Sequence, residues 1–207
     1  SKKFHINDPK SKDWTVEDKK KALAALNDLD QVIFWNHFGN SSLANLMTRV
    51  RYMAKGLDCK YIVIDHISMI IYDTLNERKA IDDIMVKLRV LVQELGIHMI
   101  VVSHLSRPQG TGHEEGASIS LNQLRGSHSL AQLPDMIYAL ERNTQALNEA
   151  ERNRTLIRVL KNRFSGESGP AVLLQWSKDT GRLTELDIDE TNVEDLEETL
   201  NDDRAFD

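Results

Sequence analysis

"YIVIDHISMIIYD", residues 61–73, is an aliphatic run that turns polar at Asp65 and His66. Tyr61-Ile62-Val63-Ile64 has no polar alternation, which predicts a strand covered on both faces, as in a parallel sheet flanked by helices. An unpaired carboxylate inside such a sheet would cost several kcal/mol of lost hydration. Asp65 is therefore expected at the strand's carboxyl end, where open α/β sheets place their ligands. A plain turn-capping role for Asp65 is the alternative, and the neighbouring sequence has to separate the two.

Downstream, Ile81, Ile84, Met85, Leu88, Leu91, Val92 and Leu95 recur at helical spacing, with Gly96 just past the end. A second apolar strand follows, "IHMIVVSH" (97–104). Strand, helix and strand with such short joints predict a βαβ unit with a right-handed crossover. If the two strands are neighbours, their carboxyl ends bring Asp65 and His104 to one rim. An Asp there can hold a magnesium ion, commonly through water, and a His beside it can touch a phosphate. A lone His after a strand is more often structural, so the layout rather than the residue type carries this reading.

Elsewhere the chain reads as ordinary α/β elements. Thr15 to Leu29 is expected to be helical and "QVIFW" (31–35) to be a short strand. Ser41 or Ser42 can cap a helix with Leu43, Leu46, Met47, Val50 and Met53 on one stripe, stopped by Gly56. Between Leu105 and Ser129 the pattern dissolves into Gly, Ser, Pro and polar residues, and loops of that length are usually functional. Three further strands are expected at 136–141, 155–163 and 171–176, the last two joined as a hairpin by "FSGESGP" (164–170).

The 207 residues suffice for one sizeable domain. No apolar run approaches the roughly 20 residues of a membrane span. Cys59 is the only cysteine, which precludes an intrachain disulfide and fits a reducing, cytoplasmic setting. The net charge of −6 is unevenly spread: 185–207 hold 11 acidic residues against Arg204, leaving 25 basic and 21 acidic residues before them. The body, 1–184, is mildly basic and compatible with a polyanion partner, while 185–207 reads as a disordered acidic tail or an interaction tail. The first residue is Ser1, so a fragment or processed product is one expectation.

"LKNRF" (160–164) puts Lys161 and Arg163 on the same face of a strand. Such a pair is either a solvated edge or a phosphate clamp, with Arg163 supplying a planar fork. In "NQLRGSHSLAQLPD" (122–135), Gly126 beside Arg125 would let backbone and guanidinium approach a polyanion, or would form a simple surface turn.

Together, "YIVIDHISMI", "ERKAIDDIMVKL", "VVSHLSRP", "HEEG", "LRGSHSLAQLPD", "ALERN" and "LKNRFSGESG" resemble, in order and spacing, the helicase domain of phage primase-helicases. These are hexameric DnaB-type ring helicases on a RecA-like P-loop NTPase fold, related to the mitochondrial replicative helicase. The resemblance covers roughly 31–184. It implies a mostly parallel sheet flanked by helices with an antiparallel C-terminal hairpin. It further implies that Asp65 organises Mg2+ and the attacking water, with ATP or dTTP as substrate, and that His104 senses the γ-phosphate. Arg163 would be an arginine finger given to the neighbouring subunit, with Lys161 beside it. Arg142 and Trp176 would sandwich the base, and Ser106, Arg107, Arg125 and Gly126 would contact single-stranded DNA. A homo-hexameric ring in the cytoplasm of an infected host, with a replicative polymerase recruited by the tail, completes what it implies.

The departures are specific. No G-x-x-x-x-G-K-[ST] and no Gly-Lys pair occurs, so the phosphate loop is expected upstream of residue 1 and the chain alone is expected to be inactive. Ser106 stands where the family often has lysine, and Phe206 is followed by Asp207, which changes an aromatic terminus that can bind polymerase. Two other readings stay open: a non-catalytic helicase-like interaction module, and a recombinase of the same superfamily.

Overall fold

A computed structural model describes residues 15–27, 32–35, 42–70, 77–106, 110, 112–124 and 128–186. Its centre is the opening stretch. β1 (Tyr61–Ile64) and β2 (His98–Val101) run parallel, with Tyr61 beside His98 and Ile64 beside Val101. α3 (Glu77–Leu95) connects them, so the expected strand-helix-strand unit forms. Its stripe Ile81, Ile84, Met85, Leu88 and Leu91 is buried, as residues three and four apart share a helix face. Gly96 ends α3 in the left-handed conformation at φ 63°, and its N–H returns to the Val92 carbonyl at 2.9 Å.

α2 (Leu43–Gly56) starts at Ser42, whose hydroxyl accepts the Asn45 N–H at 3.3 Å. Val50 of α2, Ile62 of β1, Leu91 of α3 and Ile97 form one buried cluster, and Ile67, Ile81, Ile84, Met85, Leu88 and Leu130 form a second. Both helices therefore cover the face of the strand pair that carries Ile62, Ile64, Met99 and Val101. The expectation of two covered faces fails here. On the other face Tyr61, Val63 and Ile100 are 75%, 63% and 49% exposed, because only one layer of described helices packs on these strands.

The antiparallel part is larger than a hairpin. β3 (Met136–Glu141), β4 (Arg154–Asn162), β5 (Gly169–Trp176) and β6 (Leu183–Leu186) pair in that order, antiparallel throughout, as a separate four-stranded sheet. Most described strand pairing is thus antiparallel rather than parallel. Short connections let β5 fold back on β4 and β6 on β5, while the longer segment with α5 returns β4 beside β3. β6 ends at Leu186, the last described residue. α4 (Ser129–Gln132) leads into β3, with Leu130 buried against α3, and α5 (Glu149–Arg152) leads into β4.

Two peripheral expectations change. α1 (Val16–Asn27) forms, and Thr15 and Asp18 cap it reciprocally: the Thr15 hydroxyl accepts the Asp18 N–H at 3.1 Å and Asp18 accepts the Thr15 N–H at 3.0 Å. Its apolar positions Val16 and Leu23 nevertheless stay 72% and 59% exposed, and Leu29 lies outside the described residues. Residues 32–35 form no strand, since no described edge pairs with them. The Arg49 guanidinium lies 3.9 Å over the Trp35 ring. Gly56 is the last helical residue of α2, and the left-handed turn falls at Asp58 instead (φ 55°). Among the described residues no helix is long and apolar enough to cross a membrane.

Candidate functional site

The parallel ladder continues past β1 and β2. The Val102 N–H donates to Ile64 at 2.9 Å, and the Ile67 N–H donates back to the Val102 carbonyl at 3.0 Å. Asp65 and His66, joined by a cis peptide bond, are the two residues left between those anchors, so they stand out at the rim opposite Val102. His104 follows Val102 by two residues and comes to the same rim. The ring in contact with it is that of His66, at 4.2 Å between centroids and 64° between planes. Asp65 and His104 thus share a strand end, but no hydrogen bond or ion pair joins them among the described residues.

Asp65 is exposed and has no hydrogen-bond partner among the described residues, while the Nδ1 atom of His66 is buried without one. Among the described residues no three His, Cys, Asp or Glu side chains gather as a metal cage. A magnesium ion does not need one: it is usually held by one or two carboxylates, with water and substrate phosphates filling the octahedron. A single open carboxylate at a strand end fits that donor set.

The second group of candidates lies where β4 ends. Lys161 lies in β4 and Arg163 in the turn just past it, not on the same strand as expected, yet both reach the carbonyl of Gln132, at 2.8 and 2.9 Å. The Lys161 ammonium also donates to Ala131 at 2.8 Å, so it caps α4. Burial, followed by the charge of Arg163, pushes the Lys161 pKa down. The Arg163 guanidinium donates to Asp135 at 3.3 Å, and Asp135 makes a shorter ion pair with Arg89 of α3. The hydrogen bond from Arg89 holds the Asp135 carboxyl below the usual carboxylate range, with Arg163 and Lys161 adding to it.

Arg142 and Trp176 come together across the second sheet, the guanidinium carbon 5.9 Å from the ring centroid. Residues at the end of α5 hold both. Arg142 donates to the Arg152 carbonyl at 2.7 Å and the Trp176 N–H donates to the Asn153 carbonyl at 2.8 Å.

The long loop is fastened at its stems. Leu105 bridges Leu124, and the Ser106 N–H and hydroxyl both donate to the Gln123 carbonyl, at 2.8 and 3.1 Å. The chain therefore enters the segments of Arg107 and of Arg125-Gly126 from paired positions; those three residues lie outside the described ones. Between the stems, 112–120 is strapped to the end of β3. Glu115 bridges Asn143, and Thr144 donates its N–H to Glu114 at 2.8 Å. The Ile119 N–H donates to the buried Glu141 carboxylate at 2.7 Å, which also accepts Arg158 at 2.9 Å. Gly116 (φ 90°) makes the close approach possible, since a Cβ there would meet that of Asn143 at 3.0 Å.

Sequence reasoning missed three residues that the geometry brings forward: His66, Asp135 and Glu141. Each stands inside a quoted motif. His66 follows Asp65 directly, Asp135 ends "LRGSHSLAQLPD", and Glu141 is the acidic residue of "ALERN". Glu141 could have been flagged as the single carboxylate on the buried face of an alternating strand, which demands a cationic partner.

Comparison with known proteins gives this arrangement its context. Residues 2–185 match the family described as DnaB-like helicase C terminal domain. A DNA helicase/primase of Enterobacteria phage T3 is 39% identical over 157 residues, covering 74% of this chain and 27% of that protein. The chain thus spans about a quarter of the length of this relative. A solved ATPase domain superposes with a TM-score of 0.67 at 24% identity, covering 84% of this chain and 62% of that one. A DnaB-like replicative helicase, solved in a study of its interactions with primase, gives 0.67 at 22% identity over 88% of this chain and 45% of its own. A KaiC-like protein of Pyrococcus horikoshii OT3 gives 0.54 at 13% identity over 83% and 71%. The structural likenesses show the fold, RecA-like as the motifs implied. The family match over 2–185 shows that the chain belongs to the DnaB-like helicase C-terminal domain family.

Proposed function

We propose that this chain forms part of a ring-shaped replicative DNA helicase of phage origin, in which nucleotide hydrolysis between subunits drives movement along single-stranded DNA. The observation that carries the reading is the rim at the ends of β1 and β2, where an open carboxylate, Asp65, stands beside the His66–His104 ring pair. Open carboxylates at the carboxyl ends of parallel strands are where α/β sheets take up ligands.

In this reading Asp65 holds Mg2+, which when bound neutralises phosphate charge and orients water. The His104 imidazole touches the terminal phosphate of ATP or dTTP. Arg142 and Trp176 flank the base, stacking being worth on the order of 1 kcal/mol. Arg163 reaches the nucleotide of the next subunit, braced by Lys161. Ser106 lies at the stem of the DNA-facing loops, with Arg107, Arg125 and Gly126 making the backbone contacts. The acidic segment 185–207 is an interaction tail for a replicative polymerase, the ring is a homo-hexamer, and its compartment is the cytoplasm of the infected host.

Because the sequence contains no G-x-x-x-x-G-K-[ST], the phosphate loop has to come from outside these 207 residues. The purified chain with single-stranded DNA should therefore release no phosphate from ATP or dTTP. Adding a polypeptide segment that carries the phosphate loop should restore turnover, and Arg163→Ala should remove it, by roughly 10³-fold or more for a finger acting in trans. Turnover by the chain alone that Arg163→Ala abolishes would overturn the expectation that the phosphate loop lies elsewhere, and restored turnover that survives Arg163→Ala would overturn the finger.

A further inference from the structure

We infer that Asp135 is a positioning residue for Arg163, holding its guanidinium in a fixed orientation while Arg89 keeps the carboxylate anchored to α3. This rests on the role proposed above for Arg163.

Three cations, Arg89, Lys161 and Arg163, gather around one carboxylate, Asp135, at the junction of α3, α4 and the end of β4. Like charges so close would repel one another unless something binds them. Lys161 is occupied by the carbonyls of Ala131 and Gln132, each at 2.8 Å. Arg89 takes one oxygen of Asp135 and Arg163 the other, the latter at 3.3 Å. The second Arg163 nitrogen donates to Gln132 at 2.9 Å, and the Arg163 backbone N–H donates to the Asp135 carbonyl at 2.9 Å. Two side-chain contacts from different nitrogens fix the plane of a guanidinium, whereas one would leave it free to swivel.

The fixing does not bury the group. The Arg163 side chain is 49% exposed, against 29% for Arg89 and 31% for Asp135. Half exposed, the side chain stays accessible to an anion. Arg89 makes the closer pair, so the Asp135 charge is already balanced by Arg89 when Arg163 engages a phosphate. The surplus of positive charge then stays with Arg163, on the exposed side. An arginine that must reach a charge developing on another subunit gains from this, since preorganised donors need no reorientation at the moment of reaction.

The test uses the assembled helicase that contains this chain, together with NMR of the chain itself. Asp135→Ala should lower kcat roughly 10- to 100-fold, with KM for the nucleotide within about twofold. Asp135→Asn, which keeps an oxygen facing Arg163, should fall between Asp135→Ala and the unaltered protein, and serves if the alanine variant does not fold. Adding Asp135→Ala to Arg163→Ala should cause no further loss, because nothing remains to be positioned. In the chain alone, rotation of the Arg163 guanidinium about its Cζ–Nε bond should be slowed, and should speed up in both Asp135 variants. Full kcat in Asp135→Ala beside a dead Arg163→Ala would overturn this inference and leave the finger reading standing. An active Arg163→Ala enzyme would overturn both.

Discussion

The rim at the ends of β1 and β2 and the turn at the end of β4 carry similar chemistry in opposite states. At the first, Asp65 is exposed without a partner among the described residues, and His66 keeps a buried nitrogen unsatisfied. At the second, the polar groups named above are engaged: Lys161 on two carbonyls, Arg163 on Asp135 and Gln132, Arg89 on Asp135. Unsatisfied polar groups are tolerated where a ligand, ion or water completes them. The first region thus leaves polar atoms open, and the second ties its own to one another.

This contrast can be broken experimentally. If the open rim is built for a ligand rather than for folding, Asp65→Asn should lower turnover of the assembled enzyme by about 10³-fold, the several kcal/mol a bound metal contributes. The same substitution in the chain alone should shift Tm by no more than about 2 °C, as exposed positions usually do. A large drop in Tm would mean that Asp65 is structural. The engaged residues should behave in the opposite way, and Glu141 is the extreme case, with its side chain 4% exposed and Arg158 15% exposed. Glu141→Ala should cost about 3–5 kcal/mol, the cost of leaving a buried charge uncompensated. Amide exchange should then quicken across 112–120, whose Ile119 N–H loses its acceptor. Unchanged exchange there would show that the strap is held by other contacts.

The smallest expected effect is a pH dependence. The Asp135 pKa is lowered in the folded protein, chiefly by Arg89. Its contribution to stability is therefore fully present above the ordinary carboxylate pKa and is lost as pH falls through the lower, folded value. With the pair about one-third exposed, the contribution is under about 1 kcal/mol. Asp135→Asn should slightly flatten the acid side of a plot of Tm against pH. A steeper acid side in that variant would contradict the sign.

Much of the first region is legible from sequence because its signals are periodic and local. The α3 stripe, the left-handed Gly96 and the run that ends at Asp65 each follow from spacing within one element. The second region is legible in part. Pattern alone predicts β3 and the β4–β5 hairpin but not β6, since Leu183-Thr184-Glu185-Leu186 is mostly exposed and merges into the acidic composition of the tail. The pairing of Arg142 with Trp176 comes from resemblance, not from any spacing.

What the sequence by itself determined was the strand-helix-strand order of β1, α3 and β2, the end of α3 at Gly96, the position of Asp65 and His104 at strand ends, and the absence of a phosphate-loop motif. All of these are properties of neighbours along the chain or of simple presence. Only the tertiary structure decided that His66 rather than Asp65 meets His104, that Asp135 holds Arg163, and that Glu141 fastens the loop at Ile119. Those contacts join residues 22 to 38 positions apart, or depend on where the chain turns outward between two hydrogen bonds to Val102. No local propensity encodes which of several charged or aromatic side chains will meet across such a separation; register and packing select it.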